Sequence, residues 1–227
     1  MFSRFLTSAL FAGASAGLLT GLLQLYFVQP VLLHAELYET GALVHFGADA
    51  VSAHPDLPGL DAVRDGLSLI FTMLTYTAYA LILLGAMSFG EERGAVIDGR
   101  WGILWGVAGF VAFHLAPGFS LAPEVPGVAA ADITARQIWW FATAGAALWA
   151  LWLLAFGKGW GAWIGAAVLL MAPHVVGAPE PDSFSGPVPT EIGALFAARA
   201  LGIGLAAWVL LGSFAGFFWL REGARSA

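Results

Sequence analysis

Two histidines stand where apolar stretches of this chain give out. His114 opens HLAPGFSLAPEVPG after the apolar run WGILWGVAGFVAF, and His174 lies in PHVVGAPEPDSFSGPVP. Each is accompanied by a proline and a later carboxylate: Pro117 and Glu124 for the first, Pro173 and Glu180 for the second. Neutral imidazole is the commonest protein ligand for transition metals, and carboxylates often join it. Proline cannot donate to the helical ladder and disfavours the α conformation before it. The two helices are therefore expected to stop at these prolines and leave freed carbonyls beside the imidazoles. Side by side, two such ends would offer His114, His174, Glu124 and Glu180 as a nitrogen and oxygen site. That donor set suits Co²⁺, Ni²⁺ or Zn²⁺ and, lacking sulfur, does not favour Cu⁺. The plainer reading is that each histidine hydrogen-bonds a neighbouring carbonyl. Two axial ligands for a haem are a further reading.

The elements that must position these groups are membrane spans. Hydrophobic residues make up 59% of the 227, and only 11% are charged, against about a quarter in soluble domains. A span needs roughly twenty mostly apolar residues. Six candidates emerge, at about Phe5–Val28, Gly66–Phe89, Trp101–Leu115, Gln137–Phe156, Trp160–Val176 and Ile192–Leu220. The expected fold is a single all-α transmembrane domain over residues 1–227, six helices arranged as three hairpins, with a long outer loop at 29–65. Within that loop, VLLHAELYETGALVHF reads as an interfacial helix bringing Glu36 and Glu39 near the mouth as further metal ligands. The first segment exceeds the apolar core of a signal peptide and carries Gly13, Gly17 and Gly21 at helix-packing spacing, so it reads as a span rather than a cleaved leader.

Basic residues orient the bundle. Arg4, Arg93, Arg100, Lys158, Arg221 and Arg225 fall on one side; Arg64, Arg136 and Arg199 fall on the other. The richer side is expected inside, with both termini. Only Glu91, Glu92, Asp98 and Glu222 of the acids share it. The remaining eleven of the fifteen, from Glu36 through Asp49 to Glu191, face outward with all five histidines. Such a face concentrates cations. The net charge of −6 argues against a nucleic-acid partner, and lipid is the expected surroundings. Absent cysteine removes thiolate chemistry. HExxH and Walker patterns are missing, so the chain does not read as an enzyme.

The odd-numbered spans carry spaced glycines, end near Pro30, Pro117 and Pro173, and are followed by Glu36, Glu124 and Glu180. This looks like a parallel internal repeat. Arg199 interrupts the last span; a charge at mid-membrane costs roughly 2.5–3.5 kcal/mol, and pairing with Asp132 or Glu191 is expected to relieve it. RQIWW, beginning at Arg136, reads as an interfacial anchor.

Taken together, HLAPGFSLAPEVPG, ARQIWW, PHVVGAPEP and LHAELYE resemble the CbtA family of probable cobalt transporter subunits, nearly end to end. The resemblance implies a multi-pass protein of the bacterial inner membrane that takes up cobalt for cobalamin synthesis. It also implies a small single-span CbtB-type partner with a histidine-rich tail. Motif by motif it extends to His114, Pro117, Glu124, Arg136, Trp139, His174 and Pro179. Co²⁺ against Ni²⁺ stays open, and no tightly bound cofactor is expected. In a third class of reading the chain is an assembly or scaffold subunit. Gly161/Gly165 and Gly212/Gly216 would then be contacts of an oligomer.

Overall fold

The computed structural model describes residues 2–45 and 52–226; Asp49, one of the expected outer acids, lies outside them. The described chain is helical: α1 (Phe2–Leu23), α2 (Gln29–Glu39), α3 (Ala62–Glu91), α4 (Trp101–Phe110), α5 (Ala116–Ser120), α6 (Ile133–Phe156), α7 (Gly159–Val176) and α8 (Thr190–Ser226). A π-helical turn, Gln24–Val28, joins α1 to α2, and a second, Val111–Leu115, joins α4 to α5. Counted through these turns, six helical runs are long and apolar enough to cross a membrane. Their outer faces carry large apolar side chains such as Phe71, Phe141 and Trp160, each more than two-thirds exposed. In water that would be costly; in hydrocarbon it is the required surface.

The prolines act differently from the expectation. The first run does not end at Val28 but continues to Glu39, and the third reaches Ser120 rather than stopping at Pro117. In each case the helix widens into a π turn that ends two residues before Pro30 or Pro117. The wide turn gives the proline ring room and absorbs its missing N–H. Pro173 sits inside α7, which runs on to Val176. Two of the three odd-numbered spans therefore share a π–proline device, and the third lacks it.

The chain divides into two compact units. One comprises residues 1–23, 61–111 and 203–227. Here Gly13, Gly17 and Gly21 of α1 lie on Thr77, Met73 and Leu69 of α3, so the two helices run antiparallel in near backbone contact. Gly102 and Gly106 of α4 meet Gly212 and Trp208 of α8 in the same way, and Gly216 lies against the Asp98 carbonyl. The glycine face of α4 thus belongs to α8, and the Gly212/Gly216 face is used within the chain. Helices that share an apolar solvent attract one another mainly through such close packing. Trp208 fills the middle, 1% exposed, with its ring over Gly109 and beside Tyr79. At one end Arg4 lies over the Trp219 indole, 3.9 Å from its centre, and donates to the Trp219 carbonyl. The Trp219 indole N–H donates to Glu91.

The other unit comprises residues 24–60 and 112–202. Its α6 and α7 form a tight hairpin through Gly157 and Lys158, with Gly159 at φ +73°. Asp132 caps α6 by accepting from the Ala135 N–H. Val31, Ala35 and Tyr38 of α2 pack with Val125, Val188 and Ile192. The loops carrying Val125 and Val188 are tied by the Ala129 N–H donating to the Ser185 carbonyl. In contrast to Gly212, Gly161 of α7 has nothing against it.

Candidate metal-binding site

His174 is held in place within this second unit. It lies in the last turn of α7, and its Nδ1 is 2.8 Å from the Ser120 hydroxyl at the end of α5. Phe119 and Trp139 set their rings edge-on to the imidazole, at 5.1 and 6.0 Å. The Trp139 indole N–H donates to the Pro173 carbonyl, which also accepts from the Gly177 N–H closing α7. The proline before His174 therefore anchors the turn through its oxygen. Trp139 is buried, 8% exposed, so this indole of the RQIWW segment is a packing and hydrogen-bonding group rather than a headgroup anchor. Which partner donates depends on the tautomer: with the proton on Nδ1 the ring donates to Ser120 and Nε2 keeps its lone pair, and with the proton on Nε2 the hydroxyl donates to Nδ1.

The other expected ligands are distributed. His114 is half-buried in the π turn, one residue after Phe113, whose ring lies 6.1 Å from Trp140. Glu124 is paired with Arg136 at 2.7 Å, the two side chains 33% and 23% exposed. At that exposure the pair is worth about 0–1 kcal/mol. Glu180 is exposed in the loop after α7; on α2, Glu36 is half-buried and Glu39 exposed. Glu39 lies over Gly127, whose φ of +80° suits glycine. Among the described residues no three His, Asp or Glu side chains gather closely enough to enclose a metal ion. His114, His174, Glu124 and Glu180 are thus not a ready-made four-ligand cage: Arg136 holds one carboxylate and the exposed loop carries another.

Arg199 corrects the sequence expectation most directly. Its guanidinium donates not to Asp132 or Glu191 but to the carbonyl of Phe27, at 2.8 Å. Phe27 lies in the first π turn, three residues before Pro30. A π turn beside a proline has carbonyls short of donors, and Arg199 supplies one. Sequence reasoning also missed Ser120, because nothing in its neighbourhood announces a partner fifty-four residues away.

A family model described as "Probable cobalt transporter subunit (CbtA)" matches residues 2–220. No curated protein and no solved structure matches the chain.

Proposed function

The chain belongs to the CbtA family of probable cobalt transporter subunits, and from that premise we propose that it admits Co²⁺ across the bacterial inner membrane through an acidic, histidine-bearing outer mouth. Both termini and the Glu91–Arg100 turn face the cytoplasm in this reading, and the six spans act as one transmembrane domain. The observation that carries it is the His174 imidazole, held at Nδ1 by the Ser120 hydroxyl; in the tautomer protonated at Nδ1, Nε2 binds the incoming ion. A metal-binding imidazole commonly has its second nitrogen held by such a partner. His114 and the carboxylates of Glu124, Glu180, Glu36 and Glu39 supply further donors as the ion passes. Water and carbonyls of the π turns complete its shell, in keeping with a pathway rather than a storage cage. Ni²⁺ binds such donors at least as well, so preference for cobalt lies in geometry and supply.

The chain carries no nucleotide-binding motif, so passage would be channel-like, driven by the membrane potential, or powered by a partner. At about −100 mV a divalent cation gains roughly 4.6 kcal/mol on entering. A small single-span CbtB-type subunit with a histidine-rich tail would deliver or receive the ion. Uptake of radioactive cobalt in cells lacking other importers tests the reading, with wild type, His114→Ala and His174→Ala, each with and without that partner. Uptake that depends on this chain and falls at least tenfold in His174→Ala, at unchanged membrane abundance, is expected. Uptake indifferent to both histidines would sink the ligand assignment.

A further inference from the structure

Arg199 carries a charge that the protein matches only in part. Its Nη1 donates to the Phe27 carbonyl, and among the described residues it has no other hydrogen bond and no ion pair. A guanidinium holds its N–H donors in a rigid fork, so the edge formed by Nε and Nη2 is free. Among the described residues the buried side-chain nitrogens without a partner are those of His34 and Arg136. The free edge of Arg199 is therefore accessible rather than enclosed. Its depth in the membrane follows from α8. The apolar run Thr190–Ala224 has 35 residues, more than the roughly twenty a crossing needs. At about 1.5 Å per residue, Arg221 and Arg199 stand about 33 Å apart along the axis. The hydrocarbon core is about 30 Å thick. With the exposed Arg221 in one headgroup layer, Arg199 reaches the other rather than the middle of the membrane. Tyr26, beside Phe27 in the π turn, is 75% exposed, which suits a phenol at that level. One helical turn below Arg199, on the same face, Gly202 is exposed with nothing against it. Leu205 continues that open face.

We propose that Arg199 binds the phosphate of a membrane phospholipid, with preference for an anionic one. The Phe27 carbonyl holds one side of the guanidinium and so fixes its plane. The Nε–H and one Nη2–H then form the parallel pair that matches two phosphate oxygens. The phosphodiester supplies the negative charge that no described side chain provides. Gly202, having no side chain, leaves room for the acyl chain to run down α8 below the headgroup. A zwitterionic lipid offers the same phosphate but carries an amine that offsets its charge, so it binds less well. The site depends neither on the uptake reading nor on which face of the membrane is outside.

The test is thermal unfolding of the full chain, stripped of lipid in detergent, with added phosphatidylglycerol, phosphatidylcholine or inorganic phosphate. In wild type, phosphatidylglycerol at a hundredfold excess over its Kd is expected to raise the midpoint by about 5 °C. Phosphatidylcholine at the same concentration is expected to give less than half that shift, and inorganic phosphate none. In Arg199→Gln, whose amide can still donate to the Phe27 carbonyl, the phosphatidylglycerol shift is expected to disappear. Arg199→Lys restores the charge without the fork and is expected to recover less than half of it. Equal shifts from the two lipids in wild type would overturn the site, even if neither variant folds. So would a full phosphatidylglycerol shift in Arg199→Gln. A wild-type shift reproduced by inorganic phosphate would overturn the lipid as occupant in favour of the free ion.

Discussion

At the scale of single residues, the proposed role of His174 depends on how firmly its ring is held by Ser120, Phe119 and Trp139. An isolated imidazole rotates and exchanges tautomers; one held by a hydroxyl and two aromatic edges does neither freely. Ser120→Ala removes the hydroxyl while leaving Phe119 and Trp139 in place. Co²⁺ affinity at His174 is expected to fall about tenfold or more, with Ser120→Thr restoring most of it; titration of purified variants reads this. Equal affinity in Ser120→Ala and wild type would show that the hydrogen bond does not orient the ring. The Glu124–Arg136 pair poses a separate question. Glu124→Gln and Arg136→Gln both break it, at about 0–1 kcal/mol. If Glu124 also meets the ion, cobalt uptake falls in Glu124→Gln and persists in Arg136→Gln; equal uptake in the two confines Glu124 to the ion pair.

At the scale of elements, glycine faces and π turns do different work. The glycines of α1, α4 and α8 allow backbone to lie against backbone. A β-carbon on Gly106 would meet the Trp208 carbonyl, and the helices would have to part. Gly106→Leu is therefore expected to cost about 1–3 kcal/mol or more, read as a lower unfolding midpoint in detergent. Gly161→Ala, on the open face of α7, is expected to be neutral or to stabilise by up to about 1 kcal/mol. A comparable loss in both would mean that the α7 face is also packed. The π turns, in turn, let helices run past Pro30 and Pro117 while loosening carbonyls, one of which holds Arg199.

At the scale of the whole molecule, the distribution of charge sets the expected direction of transport. Because cysteine is absent, single-cysteine variants report topology without background. Glu180→Cys is expected to react with a membrane-impermeant maleimide in intact cells, and Glu92→Cys only after permeabilisation. The reverse pattern would place the Glu180 loop in the cytoplasm and turn the proposed uptake into export.

Composition and hydropathy alone were enough to determine an all-helical, six-span chain, because lipid demands about twenty apolar residues for each crossing and the sequence supplies six such stretches. The motifs at His114, Arg136 and His174 were enough to identify the family. Helix partnership was not legible: the glycine spacing of α4 announces a close contact but not that α8 makes it, since small residues fit any equally small face. Nor did Pro117 announce a π turn instead of a helix end; that choice depends on whether the packing around the widened turn repays its lost hydrogen bond. Arg199 and Ser120 make the same point for the site. Their partners, a carbonyl in the first π turn and an imidazole at the end of α7, are remote in sequence, and only the folded backbone brings them within hydrogen-bonding distance.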